Sequence, residues 1–415
     1  MSNKRVLALC LVVVLSVVLS ACAPAATPEP EVIVQKETQV VVVTATPQPP
    51  TPEPGPAPLP DVIKIGVNET MTGWGAPYGD MTWKGIQLAH QKKPEVLGRP
   101  VEVILADNKS DNTESALVAQ RFIDVEKVVA VIGVNSSSKA IAQNEVLDPA
   151  GIPAMGSACT NPLVTLDKPH AFRACFIDPF QGWAGAKYAV EAVGAKTACL
   201  LVDIAEDYPV GLANYFRSAF IEMTGDVKSV LGYFSFQTGD TDFTAQLTAI
   251  KQLDPDLVFC PAEYAEIAAI LVQARQLGLT PDTPFLAGDS ADVPELIEIA
   301  GKASDGFCYT AQFHPDAYTH PEAVEFSKNF RAAYGLEPET FSVTGYDAYL
   351  LLLDAIERAG SVDGEAITKA LKETDGVVVA RGPINFDEEG NAVLGCPVIC
   401  IEGGKKTAGY LVEPE

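Results

Sequence analysis

One stretch, residues 131–162, constrains the fold more than any other part of the chain. Two short apolar runs, residues 128–134 and 152–155, are each followed by a polar corner rich in hydroxyl side chains, at 135–138 and 157–160. A short helical segment separates them, which predicts a β-α-β unit. In an open parallel sheet, ligands bind beyond the carboxyl ends of strands, where following helices direct free N–H groups outward. Either corner alone is explained by helix capping, but two in succession predict a site for a small anionic group.

The same alternation of apolar runs and amphipathic helices extends through the chain from residue 61. The runs occupy residues 62–67, 101–106, 128–134, 152–155, 198–202, 230–236, 257–260, 284–287 and 306–311. This pattern predicts an α/β fold with two parallel sheets, each with its own core. From residue 321 the pattern is mostly helical, and short strands follow around 382–412. We expect the helices to return to the first sheet, so that two doubly wound, Rossmann-like lobes are joined by hinge crossovers around a cleft.

The expected domain boundaries follow from this arrangement. Lobe I comprises residues 61–180 and about 313–382, and lobe II comprises residues 181–312 and about 383–415. Residues 23–60 are rich in proline, threonine and glutamate, which predicts a disordered, extended tether without a core. An apolar run at 40–43 within the tether has no assignment.

Residues 1–22 have the pattern of a secretion signal. A basic start precedes an apolar run, residues 6–19, that is too short to span a membrane comfortably, and the sequence LSAC ends at Cys22. This resembles a bacterial lipoprotein signal, in which Cys22 is acylated and becomes the first mature residue. A plain secretory signal cut near Ala21 or Ala23 is the alternative. Either interpretation places the protein outside the cytoplasm, and the first anchors it to the membrane.

The chain contains nine cysteines, of which seven remain when the signal is removed and Cys22 is acylated. An odd number in an oxidising compartment leaves at least one thiol unpaired. We predict a disulfide between Cys159 and Cys175, because the intervening segment is loop-like and returns to a strand. Cys199 and Cys260 lie in apolar runs and are expected to be buried thiols.

Composition and motifs exclude several classes of function. The net charge of −25 disfavours nucleic acid as a partner. Residues 72–79 are glycine-rich, but the spacing is one residue longer than in a dinucleotide-binding turn and Pro77 interrupts it. The four histidines have no metal-ligand spacing, and no nucleophile elbow or HExxH sequence occurs. We therefore expect no enzymatic activity, no cofactor and no metal.

Five segments, taken in order, resemble those of one family. They are IKIGVNETMTGWGAPYGDMTWKG, VIGVNSSS, MGSACTNP, FRACFIDPFQGWAGAKY and GPINFDEEG. From residue 61 to about 402, the chain resembles the type I periplasmic solute-binding proteins of the branched-chain amino acid (Leu/Ile/Val) transport family. No single segment is decisive, but their order and spacing make the resemblance specific.

The resemblance implies how a ligand is held. The α-carboxylate would be bound by the hydroxyl and N–H of Ser137, the backbone of Ala158 and the hydroxyl of Thr160, with Ser136 as the alternative to Ser137. The α-ammonium would be bound by Asp289. This assignment suits a zwitterion, which needs hydrogen-bond donors at one end and a carboxylate at the other. Capping of a following helix is the other interpretation of Asp289.

In this family aromatic side chains line the rim of the cleft, and Tyr78 and Tyr208 match those positions. Tyr264 or Glu263, which follow the strand that ends near residue 260, match a further position at the cleft. Both Tyr208 and Tyr264 would also suit ordinary loop positions. Many relatives have glutamate where Asp289 stands, and an aromatic residue where Glu263 stands. Because of these two departures, the resemblance does not specify the side chain of the ligand, and a polar or larger amino acid is one of the candidates.

The expected function is that of a substrate-binding lipoprotein of an ABC importer, which captures an amino acid and presents it to permease and ATPase subunits. We expect a monomer. The alternatives are a binding protein for amides, urea or aromatic carboxylates, and a ligand-sensing subunit of a signalling receptor.

Overall fold

A computed structural model describes residues 59–279 and 283–414 of the chain. The predicted signal peptide with Cys22, and all of the predicted tether except its last two residues, lie outside the described residues. In the part of the chain that the structure describes, no helix has the length and apolar character needed to cross a membrane.

The strands and helices alternate along most of the described chain. Strands β1–β15 span Ile63–Glu69, Glu95–Val96, Arg99–Asp107, Ala130–Ile132, Ala154–Gly156, Ala171–Arg173, Ala198–Asp203, Val230–Phe236, Leu257–Phe259, Phe285–Ala287, Cys308–Thr310, Val377–Val379, Gly382–Ile384, Cys396–Glu402 and Lys405–Val412. Helices α1–α11 span Ala76–Lys92, Asn112–Arg121, Ser137–Leu147, Asp178–Lys187, Asp207–Thr224, Thr244–Leu253, Tyr264–Gln276, Pro294–Ala300, Pro321–Tyr334, Thr340–Ala359 and Gly364–Lys372.

Two sheets organise the fold. The first has the order β2-β3-β1-β4-β5-β6 and the second the order β15-β14-β11-β10-β9-β7-β8, and β12 pairs with β13 separately. Within the first sheet only the β2–β3 pair is antiparallel. In the second, β14 and β15 add antiparallel strands to a parallel core. Each of the nine predicted apolar runs overlaps a strand, so the predicted α/β fold with two parallel sheets is confirmed.

Burial explains why these strands have continuous apolar sequences. All six residues of β7 are buried, as expected for a parallel strand covered by helices on both faces. Alternation of apolar and polar residues would appear only if one face met water. The neighbouring β9 and β10 are likewise buried throughout, which places the second core on both sides of the sheet.

The late helices return to the first sheet, as the sequence predicts. Helix α10 packs against α1 through two close backbone approaches: a Cβ at Gly85 would lie 1.9 Å from the Ser342 carbonyl oxygen, and a Cβ at Gly345 would lie 2.4 Å from that of Thr82. Strands β14 and β15 then rejoin the second sheet. The chain therefore passes between the sheets three times. The precise lobe boundaries given above stay a prediction.

The disulfide differs from the predicted one. Cys308 in β11 and Cys400 in β14 are bonded, with their Cα atoms 4.1 Å apart, because the two residues face each other in the antiparallel pair. Cys159 and Cys175 are both free and buried, with their side chains in hydrogen-bond contact, and the predicted bond between them is not formed in this structure. The actual partners are 92 residues apart, and only the pairing of β14 with β11 brings them together.

Candidate functional site

A cleft lies where the carboxyl ends of strands from both sheets meet. It encloses about 310 Å³ of space between atoms, its open mouth included. The lining residues are Tyr78, Asn135, Ser136, Ser137, Ala158, Tyr208, Glu263, Asp289, Ser290 and Phe341. Seven of the nine residues predicted to contact a ligand are in this set. The two others, Thr160 and Tyr264, are not among the lining residues.

One end of the cleft, the donor corner, consists of Ser136, Ser137, Ala158 and Thr160. Helix α3 begins at Ser137, and Ser136 is its N-cap residue with an extended backbone and no side-chain capping bond. The first N–H groups of the helix and the positive end of its dipole therefore face the corner without that cap. The Ser137 Oγ accepts a hydrogen bond from the Asn161 N–H at 3.1 Å, which leaves the Ser137 hydroxyl proton available to an anion.

Thr160 adds an unpaired hydroxyl at the back of the donor corner. It is fully buried, and its Oγ1 makes no hydrogen bond of good geometry within the described residues, although the buried Asp178 carboxyl is its neighbour. A buried polar group left unpaired costs about 1–3 kcal/mol. The Oδ1 of Asn135, which lines the cleft, is unpaired in the same way. Such groups are typical of a site completed by a ligand or by water.

Glu69 forms hydrogen bonds with both polar corners. Its Oε2 accepts hydrogen bonds from the N–H of Asn135 at 3.2 Å and from Asn135 Nδ2 at 2.6 Å, and its Oε1 accepts one from the Ser157 hydroxyl at 3.0 Å. Complete burial raises the pKa of Glu69 to about 8. The carboxyl is therefore largely protonated at neutral pH, and it ties the loop after β4 to the loop after β5.

Replacing Glu69 with glutamine is expected to reduce the loss of stability with rising pH. A carboxyl whose pKa is raised by folding binds more protons in the folded than in the unfolded protein, so stability falls as the pH rises. For Glu69 the fall runs from the ordinary pKa of 4.5 to about 8, with a slope of up to about 1.4 kcal/mol per pH unit. Urea unfolding at several pH values in this range measures the slope, and equal slopes for Glu69→Gln and the wild type would contradict this role.

Asp289, on the loop after β10, also lines the cleft and is 3% exposed. Its Oδ1 accepts a hydrogen bond from Gln181 Nε2 and its Oδ2 one from Gln312 Nε2, both at 3.0 Å. Burial raises the pKa of Asp289. No basic side chain is among the lining residues, so a ligand cation is a fitting partner for this carboxyl. Helix α8 has no side-chain capping bond, which removes the helix-capping interpretation of Asp289.

Tyr208 contacts Asp289's neighbours from helix α5. Its hydroxyl donates a long hydrogen bond of 3.5 Å to Ser290 Oγ, and Ser290 Oγ donates to the Ala262 carbonyl at 2.5 Å. A Cβ at Gly288 would lie 2.0 Å from the Tyr208 hydroxyl oxygen. Glycine is therefore required at position 288 for the tyrosine to reach the cleft.

Tyr78 and Glu263 meet across the cleft from the two lobes. The Tyr78 hydroxyl donates to Glu263 Oε2 at 2.9 Å and accepts a hydrogen bond from the Tyr264 N–H at 3.0 Å. The Tyr78 ring stacks on Phe341 with centroids 4.5 Å apart. Burial, more than the nearby charge of Glu206, raises the pKa of Glu263 to about 8. The backbone N–H of Tyr264 thus helps to hold the Tyr78 hydroxyl in place.

A second bridge closes the other side of the cleft. Lys139 is 1% exposed, its Nζ lies 2.5 Å from Glu206 Oε1, and it lies over the Trp74 ring at 4.6 Å from the centroid. The N–H of Asp207 donates to Ser138 Oγ at 3.0 Å. Because these contacts join helix α3 to the start of helix α5, the two lobes are in direct contact around the cleft.

Three lining residues were not among those predicted: Asn135, Ser290 and Phe341. Asn135 begins the first polar corner and Ser290 follows Asp289, so adjacency was an available signal for both. Phe341 lies in helix α10, far along the chain, and nothing in its local sequence indicates the cleft. Within the described ranges, no group of three His, Cys, Asp or Glu residues has the arrangement to bind a metal ion.

The chain matches the family model described as "Periplasmic binding protein" over residues 62–400. A Leu/Ile/Val-binding protein homolog of Brucella melitensis is 30% identical over 337 residues, which are 80% of this chain and 88% of the relative. A leucine-binding protein of Thermotoga maritima superimposes with a TM-score of 0.82 at 43% identity, covering 85% of this chain and 99% of that one.

A branched-chain amino acid transporter substrate-binding protein of Streptococcus pneumoniae, in complex with isoleucine, has a TM-score of 0.79 at 31% identity, covering 85% of this chain and all of that one. The range of the family match, residues 62–400, includes every residue that lines the cleft. Proteins of this family bind solutes outside the cytoplasm and are not enzymes. The chain therefore belongs to the periplasmic binding protein family, in the branched-chain amino acid group of its type I members.

Proposed function

We propose that this protein captures an L-α-amino acid, branched-chain or related, in the cleft and presents it to the permease and ATPase subunits of an ABC importer. One observation carries the proposal. The donor corner, with its helix N-terminus and free hydroxyls, faces the buried carboxyl of Asp289, and no basic lining side chain neutralises that carboxyl. Donors at one end and an acid at the other are complementary to a zwitterion.

The proposed ligand pose follows from this polarity. The α-carboxylate accepts hydrogen bonds from the N–H and hydroxyl of Ser137, with Ser136 as the alternative, and from the backbone of Ala158 and the hydroxyl of Thr160. The α-ammonium binds Asp289, whose position Gln181 and Gln312 maintain by hydrogen bonds from its far side. The aromatic rings that line the cleft then surround the side chain of the ligand.

Capture works in this proposal by a shift between open and closed lobes. Tyr78 with Glu263, and Lys139 with Glu206, join the lobes in the closed form. A ligand that contacts Ser137 on one lobe and Asp289 on the other adds free energy to that form alone, so it shifts the population towards closure. The permease would recognise the closed surface.

Attachment to the membrane through acylated Cys22 is part of the proposal. It is supported by the LSAC sequence after the apolar run and by the proline-rich tether that follows. Such a tether would keep the binding domain away from the lipid surface while leaving it free to reach the permease.

The deciding experiment is a thermal-shift screen of the purified protein against the amino acids, small amides, urea and aromatic carboxylates, followed by calorimetric titration of the positives. A ligand present at 100 times its Kd adds about 2.7 kcal/mol to the free energy of unfolding. We expect a shift with one or more L-amino acids and none with their N-acetyl derivatives, which lack the ammonium. A shift only with acids that carry no amine would overturn the zwitterion pose.

Aromatic carboxylates are the second candidate, because three aromatic rings line the cleft. The donor corner would bind their carboxylate as it binds that of an amino acid. Such a ligand leaves Asp289 without a cation, which costs free energy for a buried acid unless it is protonated. The same screen therefore ranks the two candidates directly.

A further inference from the structure

The cleft contains one acid more than an amino acid backbone requires. Its lining residues include two carboxyls, those of Asp289 and Glu263, and no lysine, arginine or histidine. The α-ammonium of a zwitterion can pair with Asp289. Glu263 then remains in a nearly closed space, 5% exposed, where an unused acid is unfavourable.

The two oxygens of Glu263 have different surroundings. The Oε2 accepts the hydrogen bond from the Tyr78 hydroxyl at 2.9 Å. That bond is the one hydrogen bond found for the Glu263 side chain among the described residues, and it leaves Oε1 in a residue that lines the cleft. One oxygen is thus bound by the protein, and the other is left for whatever occupies the cleft.

The charges around Glu263 favour a positive or N–H-bearing group at that point. Glu206 and Asp203 both act on it as negative neighbours, and Lys139 as a positive one. The Lys139 ammonium is already paired with Glu206 at 2.5 Å. Asp289, on the loop after the adjacent strand β10, adds a further acid. Apart from the paired Lys139, the groups that face Glu263 are therefore acidic or neutral.

We propose that Glu263 makes the cleft select amino acids whose side chain carries N–H groups, as an ammonium, a guanidinium or a carboxamide does. The inference rests on the proposed function and adds the class of side chain. A carboxylate forms its strongest hydrogen bonds with N–H donors, and with cationic ones above all. An aliphatic side chain would cover Oε1 and leave it unpaired, which penalises leucine and its isomers.

The test compares ligands that differ only at the end of the side chain. Lysine and norleucine have the same straight chain with and without the terminal ammonium, and glutamine represents the neutral carboxamides. By calorimetric titration we expect lysine to bind about 30-fold or more tightly than norleucine, with glutamine between them. Lysine binding also lowers the raised pKa of Glu263, so it should release more protons at pH 7 than norleucine does and give enthalpies that depend more strongly on the buffer.

Two variants separate selection from simple closure of the lobes. Glu263→Gln keeps an acceptor for the Tyr78 hydroxyl but removes the negative charge, whereas Tyr78→Phe removes the same bridge and leaves the acid. Both variants are expected to weaken binding. Only Glu263→Gln should reduce the ratio of lysine to norleucine affinity, by about tenfold or more, and abolish the excess of protons released by lysine over norleucine.

The outcomes are distinguishable. Tighter binding of norleucine or leucine than of lysine and glutamine by the wild type would overturn the assigned selectivity while leaving the amino acid proposal intact. An unchanged ratio in Glu263→Gln, or equal losses of the ratio in both variants, would make Glu263 a closing contact only. Failure of every amino acid to bind would refute the proposed function itself.

Discussion

Asp289→Asn is expected to lower affinity for any amino acid ligand by about 30-fold to several thousandfold, the equivalent of 2–5 kcal/mol. The substitution removes the charge that pairs with the α-ammonium and keeps the shape of the side chain. The fold should survive, because the Oε1 of Gln181 is buried without a partner and its amide can turn to accept a hydrogen bond from the new asparagine. Calorimetric titration of the tightest ligand from the screen measures the loss.

Asp256→Asn is the matched control. Asp256 precedes β9 at the opposite edge of the same sheet, where it accepts hydrogen bonds from the N–H groups of Lys196 and Thr197. Its loss should change ligand affinity by less than about threefold, since it contacts nothing in the cleft. If Asp289→Asn also stays within that range, and its melting curve shows a folded protein, Asp289 does not bind the ammonium.

The second large effect concerns stability. Asp347→Asn is expected to lower the free energy of unfolding by about 3–5 kcal/mol, the usual cost of leaving a buried charge without its partner. Both side chains of the Asp347–Arg381 pair are fully buried, with Arg381 Nε 2.7 Å from Asp347 Oδ2. The guanidinium also donates to the Ala174 carbonyl, so it cannot withdraw to solvent when the aspartate loses its charge.

The same helix, α10, provides the control for this prediction. Asp354 pairs with Arg358 at the same distance of 2.7 Å, but a third of each side chain is exposed. Asp354→Asn should cost no more than about 1 kcal/mol, because water screens and replaces the pair. Urea unfolding followed by circular dichroism compares the two variants. A difference between them smaller than 1 kcal/mol would show that burial does not make the Asp347–Arg381 pair essential.

The sheets could be predicted because their information is local. A parallel strand covered on both faces needs an unbroken apolar run, and such runs are visible in the sequence without knowledge of their neighbours. The donor corner could be predicted for the same reason, since a polar segment between a strand and the following helix lies at the carboxyl end of a parallel strand. The resemblance to a known family added Asp289, which lies at the end of a strand in the second series.

Other features could not be predicted, because they depend on which distant segments pack together. Cys308 and Cys400 bond since β14 turns back antiparallel to β11, whereas Cys159 and Cys175 looked suitable on proximity alone. Phe341 enters the cleft because helix α10 crosses α1, and two glycines permit that approach.

The sequence by itself determined the alternation of strands and helices and the positions of the polar strand ends. Each of these depends on the character of a few consecutive residues. Only the tertiary structure decided that Tyr78 of one lobe contacts Glu263 of the other, in the one side-chain hydrogen bond that Glu263 makes among the described residues. Contacts between lobes arise from the packing of surfaces far apart in sequence, and no local pattern of residues specifies which of those surfaces meet.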